Sequence, residues 1–123
     1  MSLAISIDEL PDAWVLAAAG ELDYGECADF RMSIERILHA MPSAVVVDLS
    51  GIEYLDSSGL GLLLGLSRQY GDEGGRLALV TSETVDSVLE MTRLSGVFTV
   101  EADAISALDH LRHTEPPAAE AAG

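Results

Sequence analysis

Few side chains in this sequence could carry chemistry: His39, His110, His113, Cys27 and the serines. A serine nucleophile on an α/β scaffold sits in a Gly-x-Ser-x-Gly elbow, and no serine here has glycines at those positions. The histidines fall on predicted helix surfaces or near the end of the sequence, where a solvated imidazole is the ordinary finding and a general base the rare one. One thiol cannot form an internal disulfide, and with three scattered histidines it gives no metal-ligand spacing. Gly59-Leu60-Gly61 lacks the glycine spacing and the lysine of a phosphate-cradling loop. Catalysis, a bound metal and a cofactor are therefore not expected. What stands out instead is Asp56-Ser57-Ser58-Gly59.

That tetrapeptide stands where an apolar helix is predicted to begin. The plain reading is a helix cap: a serine oxygen accepts from an orphan amide of the first turn, and its loss costs about 1 kcal/mol. A functional reading uses the same geometry, because a hydroxyl in a surface turn is open to a modifying enzyme. A phosphate there would meet backbone amides and the positive end of the helix dipole, so the fold should survive modification. It would add about 1.5 to 2 negative charges beside Asp56 and change any interface centred there. Gly59, Gly61 and Gly65 each cost nearly 1 kcal/mol relative to Ala within a helix. Close packing on a sheet is the expected compensation, ahead of a close-fitting partner.

The elements that must position this turn are legible from spacing. Leu3, Ile5 and Ile7 alternate with smaller or polar neighbours, and Ala13 to Ala19 forms a second apolar run after the Asp8 to Asp12 turn, which predicts a hairpin. Asp23 and Glu26 stand three apart as a capping box, so a helix is predicted from there to Pro42, with Cys27, Phe30, Ile34, Ile37, Leu38 and Met41 as its apolar stripe. Ala44 to Leu49 reads as a central buried strand, Ser50 to Leu55 as a connector, and Asp56 to about Gly71 as the second helix. Leu77 to Val80 is a further buried strand. Thr81 or Ser82 can cap a helix carrying Val85, Val88, Leu89 and Leu94, with Gly96 as its stop. Val97 to Val100 is a short strand, and Ile105, Leu108 and Leu111 mark a last helix. The order predicts an α/β sandwich: a mixed, mostly parallel sheet of about five strands with about four helices. One domain over residues 1–113 is expected, with a disordered tail rich in Pro, Ala and Glu at 114–123.

With 21 acidic against 6 basic residues, the chain carries a formal net charge of -15, which argues against direct nucleic-acid binding and against anionic membrane surfaces. No apolar stretch is long enough to span a bilayer and nothing at the start reads as a secretory signal, so a reduced cytoplasmic setting is expected.

Three stretches together resemble the STAS domain family, most closely its stand-alone bacterial anti-sigma factor antagonists. They are Gly20-Glu21-Leu22-Asp23, then Val45-Val46-Val47-Asp48-Leu49 leading through Leu55 to Asp56-Ser57-Ser58-Gly59-Leu60-Gly61, and Leu94-Ser95-Gly96-Val97. The resemblance implies a non-enzymatic switch. The unphosphorylated form binds an anti-sigma factor serine kinase and releases sigma factor, phosphorylation of Ser57 abolishes binding, and a serine phosphatase restores it. Ser58 is the rival acceptor, expected instead to turn into the first helical turn. The resemblance also implies that Asp23, Asp56, Ser57, Ser58, Gly59, Leu60 and Gly61 form the partner-binding surface, although a capping role explains Asp23 equally well. Two other readings stay open: an accessory subunit of a membrane lipid transporter, and a nucleotide or small-ligand sensor using the loops at the strand ends.

Overall fold

The computed structural model describes residues 3–72 and 74–113. The expectation for 114–123 lies outside them. Strands β1 (Leu3–Glu9) and β2 (Trp14–Leu22) form the hairpin, followed by α1 (Cys27–Ala40), β3 (Ala44–Leu55), α2 (Ser57–Asp72), β4 (Arg76–Val80), α3 (Glu83–Met91), a 3-10 turn at Ser95–Val97, β5 (Val100–Glu101) and α4 (Ala104–Arg112). The sheet order is β1-β2-β3-β4-β5. β1 is antiparallel to β2 and every other pair is parallel. The predicted α/β sandwich is the observed fold.

Two apolar layers hold it. The larger buries Leu16, Leu22, Phe30, Ile37, Val45, Val47, Leu63, Leu66, Val85 and Leu89, so α1, α2 and α3 share one face of the sheet. Ala44, Val46, Ala78 and Val80 meet Ala107 and Leu111 of α4 on the other. β3 therefore alternates between the layers, as its unbroken aliphatic run requires.

Four local expectations are corrected. Ser50 to Leu55 is not a loop but the second half of β3, paired with β2 from Ala19↔Gly51 to Leu22↔Leu55, with one register shift just before Ala19 and another between Gly20 and Glu21. A Cβ on Gly51 would stand 2.7 Å from that of Ala19, so the glycine that reads as a breaker is what lets the strands pass. Helix α1 starts at Cys27, after Asp23 Oδ1 has accepted from Glu26 N at 3.0 Å; Asp23 shapes the preceding turn rather than capping the helix. Gly96 does not end α3. That helix stops at Met91, with Arg93 taking the left-handed conformation (φ 60), and Gly96 lies in the 3-10 turn. The last strand is only Val100–Glu101. Of the two candidate caps for α3, Ser82 is the one used: its Oγ accepts from Val85 N at 3.1 Å.

Candidate functional site

β2 and β3 lie side by side and end level with each other, Leu22 opposite Leu55. The loop leaving β2 and the helix leaving β3 thus emerge together, bringing Asp23-Tyr24 beside Asp56-Ser57. Asp56 joins them. Its Oδ1 accepts from Ser58 N at 2.9 Å and Gly59 N at 3.3 Å, its Oδ2 accepts from Tyr24 N at 3.0 Å, and its own amide donates to Leu22 O at 3.2 Å. One carboxylate therefore caps α2 and pins the β2–α1 loop against it.

This arrangement corrects the expectation that a serine is the cap. Ser57 is the first residue of α2 and is exposed, while Ser58 is half-buried. With the amides of Ser58 and Gly59 already bound to Asp56, Ser58 is not needed as an acceptor in the first turn. A phosphate on Ser57 would likewise find those amides occupied by a carboxylate, so its charge would remain in solvent beside Asp56.

The glycines separate into two kinds. A Cβ on Gly59 would come within 2.6 Å of Leu22 Cγ and 2.8 Å of Leu55 Cδ1, so this glycine allows α2 to lie close against the ends of β2 and β3. Gly59 and Leu60 are both buried, Leu60 at 7% exposure, which makes them scaffold rather than contact surface. An added Cβ on Gly61 or Gly65 meets nothing within 4 Å, and both residues are exposed. The expected packing against the sheet is absent at these two positions. Instead Ser57, Gly61 and Gly65, spaced one turn apart, leave a bare ridge down the outer face of α2.

Two tyrosines that the sequence did not single out stand here. Tyr24 is 82% exposed and Tyr54 50% exposed, one in the pinned loop and the other two residues before Asp56. Their signal was weak, since one tyrosine in a turn and one in a supposed connector carry no pattern. Cys27 is buried beneath the loop, and its thiol is pushed up by desolvation first and by the Asp56 and Asp23 carboxylates further, against the lowering effect of Arg31. Burial and the neighbouring carboxylates both favour its protonated form over the thiolate. His39 is exposed on α1, and His110 and His113 lie on or after α4, so none is brought to Ser57.

The sequence model of the STAS domain matches residues 4–107. The chain belongs to the STAS domain family. A STAS-domain containing protein of Pseudomonas aeruginosa is 34% identical over 101 residues, spanning 78% of this chain and 99% of that protein. The anti-sigma F factor antagonist of Paenibacillus polymyxa is 27% identical over 113 residues, covering 90% of this chain and 97% of the relative. Among solved structures, an anti-sigma factor antagonist from Mycobacterium paratuberculosis superposes with a TM-score of 0.83 at 25% identity, over 90% of this chain and 95% of the other. The Bacillus cell fate determinant SpoIIAA in its phosphorylated form does so with a TM-score of 0.70 at 25% identity, over 89% and 100% of the two chains. In this STAS domain, Asp23, Asp56, Ser57, Ser58 and Gly61 gather at one corner of the sheet.

Proposed function

We propose that this STAS domain is an anti-sigma factor antagonist working by partner switching in the cytoplasm. Unmodified, it binds an anti-sigma factor serine kinase and sets sigma factor free. Phosphorylated on Ser57, it lets go, and a serine phosphatase returns it to the binding form. The chain itself acts as a binding protein and not as an enzyme. The observation that carries this reading is the position of Ser57: an exposed hydroxyl one residue past the cap, with the cap's duty performed by Asp56. The names of the Paenibacillus and Mycobacterium relatives and the phosphorylated state of the Bacillus structure support it.

Mechanistically, the contact surface is the bare ridge of α2 with Tyr24 and Tyr54 at its head. Aromatic side chains of this kind are the anchors expected of an interface centre. A partner can approach the backbone of α2 closely at Gly61 and Gly65, which explains two helix glycines that no internal packing requires. Phosphorylation places about 1.5 to 2 negative charges beside the Asp56 carboxylate. Burying that charge pair against a partner without matching cations is unfavourable, so the complex dissociates while the STAS fold stays intact.

Incubation with the cognate kinase and ATP followed by mass spectrometry tests the site, and phosphate confined to Ser58 would overturn the assignment. In pull-downs from lysate, Ser57→Ala is expected to hold the kinase with or without ATP and Ser57→Asp to hold it more weakly. Equal binding of these two variants would end the charge mechanism.

A further inference from the structure

The two edges of the sheet are unlike. β5, at one edge, pairs only with Leu79 and Val80, whereas β1, at the other, pairs with β2 along its whole length, from Leu3↔Gly20 to Glu9↔Trp14, without a register shift. At the hairpin end Leu10 N donates to Ala13 O at 3.0 Å. Antiparallel partners exchange hydrogen bonds at every second pair, so Ala4, Ser6 and Asp8 turn their N–H and C=O toward β2, and those of Leu3, Ile5, Ile7 and Glu9 point out of the sheet. Among the described residues no strand lies beyond them.

Long edge strands are ordinarily guarded by Pro, Lys or a bulge, and Leu3–Glu9 has none of these. Leu3, Ile5 and Ile7 pack against the larger apolar layer yet are only half-buried, and Ala4 and Ser6, exposed on the opposite face, are too small to block an approaching strand. The two acids, Asp8 and Glu9, stand together at one end, and Glu9 is already paired with Arg36 of α1.

That placement makes the strand complementary to itself. Run antiparallel about a two-fold axis at Ser6, it sets Leu3 against Glu9, Ala4 against Asp8 and Ile5 against Ile7, so no carboxylate faces a carboxylate. The outward N–H and C=O groups then fall opposite one another, and the half-exposed flanks of Ile5 and Ile7 from the two copies cover each other. Moving the axis to Ile5 or Ile7 leaves Asp8 and Glu9, or Leu3 and Ala4, without an opposite residue.

We propose that β1 is a self-association edge, to which a second copy of this chain adds antiparallel about Ser6, joining two five-stranded sheets into one. β2 separates this edge from β3 and α2, so the proposal rests on neither phosphorylation nor kinase binding.

Sedimentation equilibrium of the full chain tests it. One short edge is small beside the interface of a permanent dimer, so dimers are expected at protein concentrations on the order of 0.1 mM and above. Each copy carries a net charge of -15, and screening should make dimers more abundant at about 0.5 M salt than at about 0.05 M. Ser6→Glu sets like charges face to face at the axis and should weaken association about fivefold, as should Ser6→Arg, while a mixture of the two variants should associate at least as well as the parent. Under mild oxidation Ser6→Cys should form a covalent dimer faster than Asp8→Cys, whose thiols would lie about 13 Å apart along the paired strands; the native Cys27 is buried. A chain that stays monomeric at about 1 mM overturns the proposal. So does parent-like association of both Ser6→Glu and Ser6→Arg, or cross-linking of Asp8→Cys as fast as that of Ser6→Cys.

Discussion

Helices α2 and α3 start at the carboxyl ends of neighbouring parallel strands, and each has a serine at its start, yet the two serines do opposite things. Ser82 is the cap of α3: its Oγ accepts from Val85 N at 3.1 Å and donates to Ile52 O at 2.7 Å, so both capacities of the hydroxyl are used inside the fold. Ser57 stands one position further along, because Asp56 has already taken the cap of α2. A serine that caps is bound to the structure it stabilises. A serine just after a cap costs the fold nothing to change, and this is the condition a reversible modification needs.

The largest effect that would probe this contrast is at Asp56. Asp56→Ala removes the cap of α2 and the tie to Tyr24 together and is expected to destabilise by about 2 kcal/mol in urea unfolding. A loss near zero would mean that Asp56 does not fix the corner. Ser82→Ala should cost about 1.5 kcal/mol, since Val85 N and Ile52 O both lose a partner. Were it as harmless as the change at Ser57, the two helix starts would not differ as described.

The glycines sharpen the same comparison on one helix. Gly61→Ala is expected to stabilise by about 1 kcal/mol, the ordinary gain of helix propensity, because the new methyl meets open space. Gly59→Ala gains the same propensity but drives a methyl against Leu22 and Leu55, so a net loss of about 1 kcal/mol is expected. Opposite signs in the two melts are the signature, and like signs would contradict the inward and outward assignment. In the proposed complex the sign at Gly61 reverses, with Gly61→Ala binding the kinase more weakly than the parent although it is more stable. The smallest effect belongs to Ser57→Ala, whose stability should stay within about 0.5 kcal/mol of the parent while phosphate uptake disappears. A larger loss would show that the hydroxyl is structural after all.

Much of this is legible in the sequence alone. Alternation in β1, the three-and-four spacing of Phe30, Ile34 and Ile37, and the aliphatic run Ala44 to Leu49 are local patterns, and each produced the element it foretold. The second half of β3 was not legible, because Ser50-Gly51 has the composition of a turn, and only the approach of Ala19 makes the glycine a strand residue. Gly96 reads as a helix stop by composition, yet α3 ends earlier, at Met91, and is capped by Thr92, whose hydroxyl folds back on Val88 O at 2.7 Å.

At the site the division is sharper. The order of residues determined that an acid, two serines and a glycine would meet a helix start next to a buried strand, since this needs only periodicity and a cap. Which of the three side chains would be the cap, which hydroxyl would face water and which glycines would touch the sheet depended on atoms more than thirty residues away. Leu22 and Tyr24 supply them: the backbone and side chain of one and the amide of the other set the position of Asp56 and the closeness of Gly59. Those contacts exist only once β2 and β3 lie side by side, and for that reason the tertiary structure alone decided that Ser57 is the serine left outside.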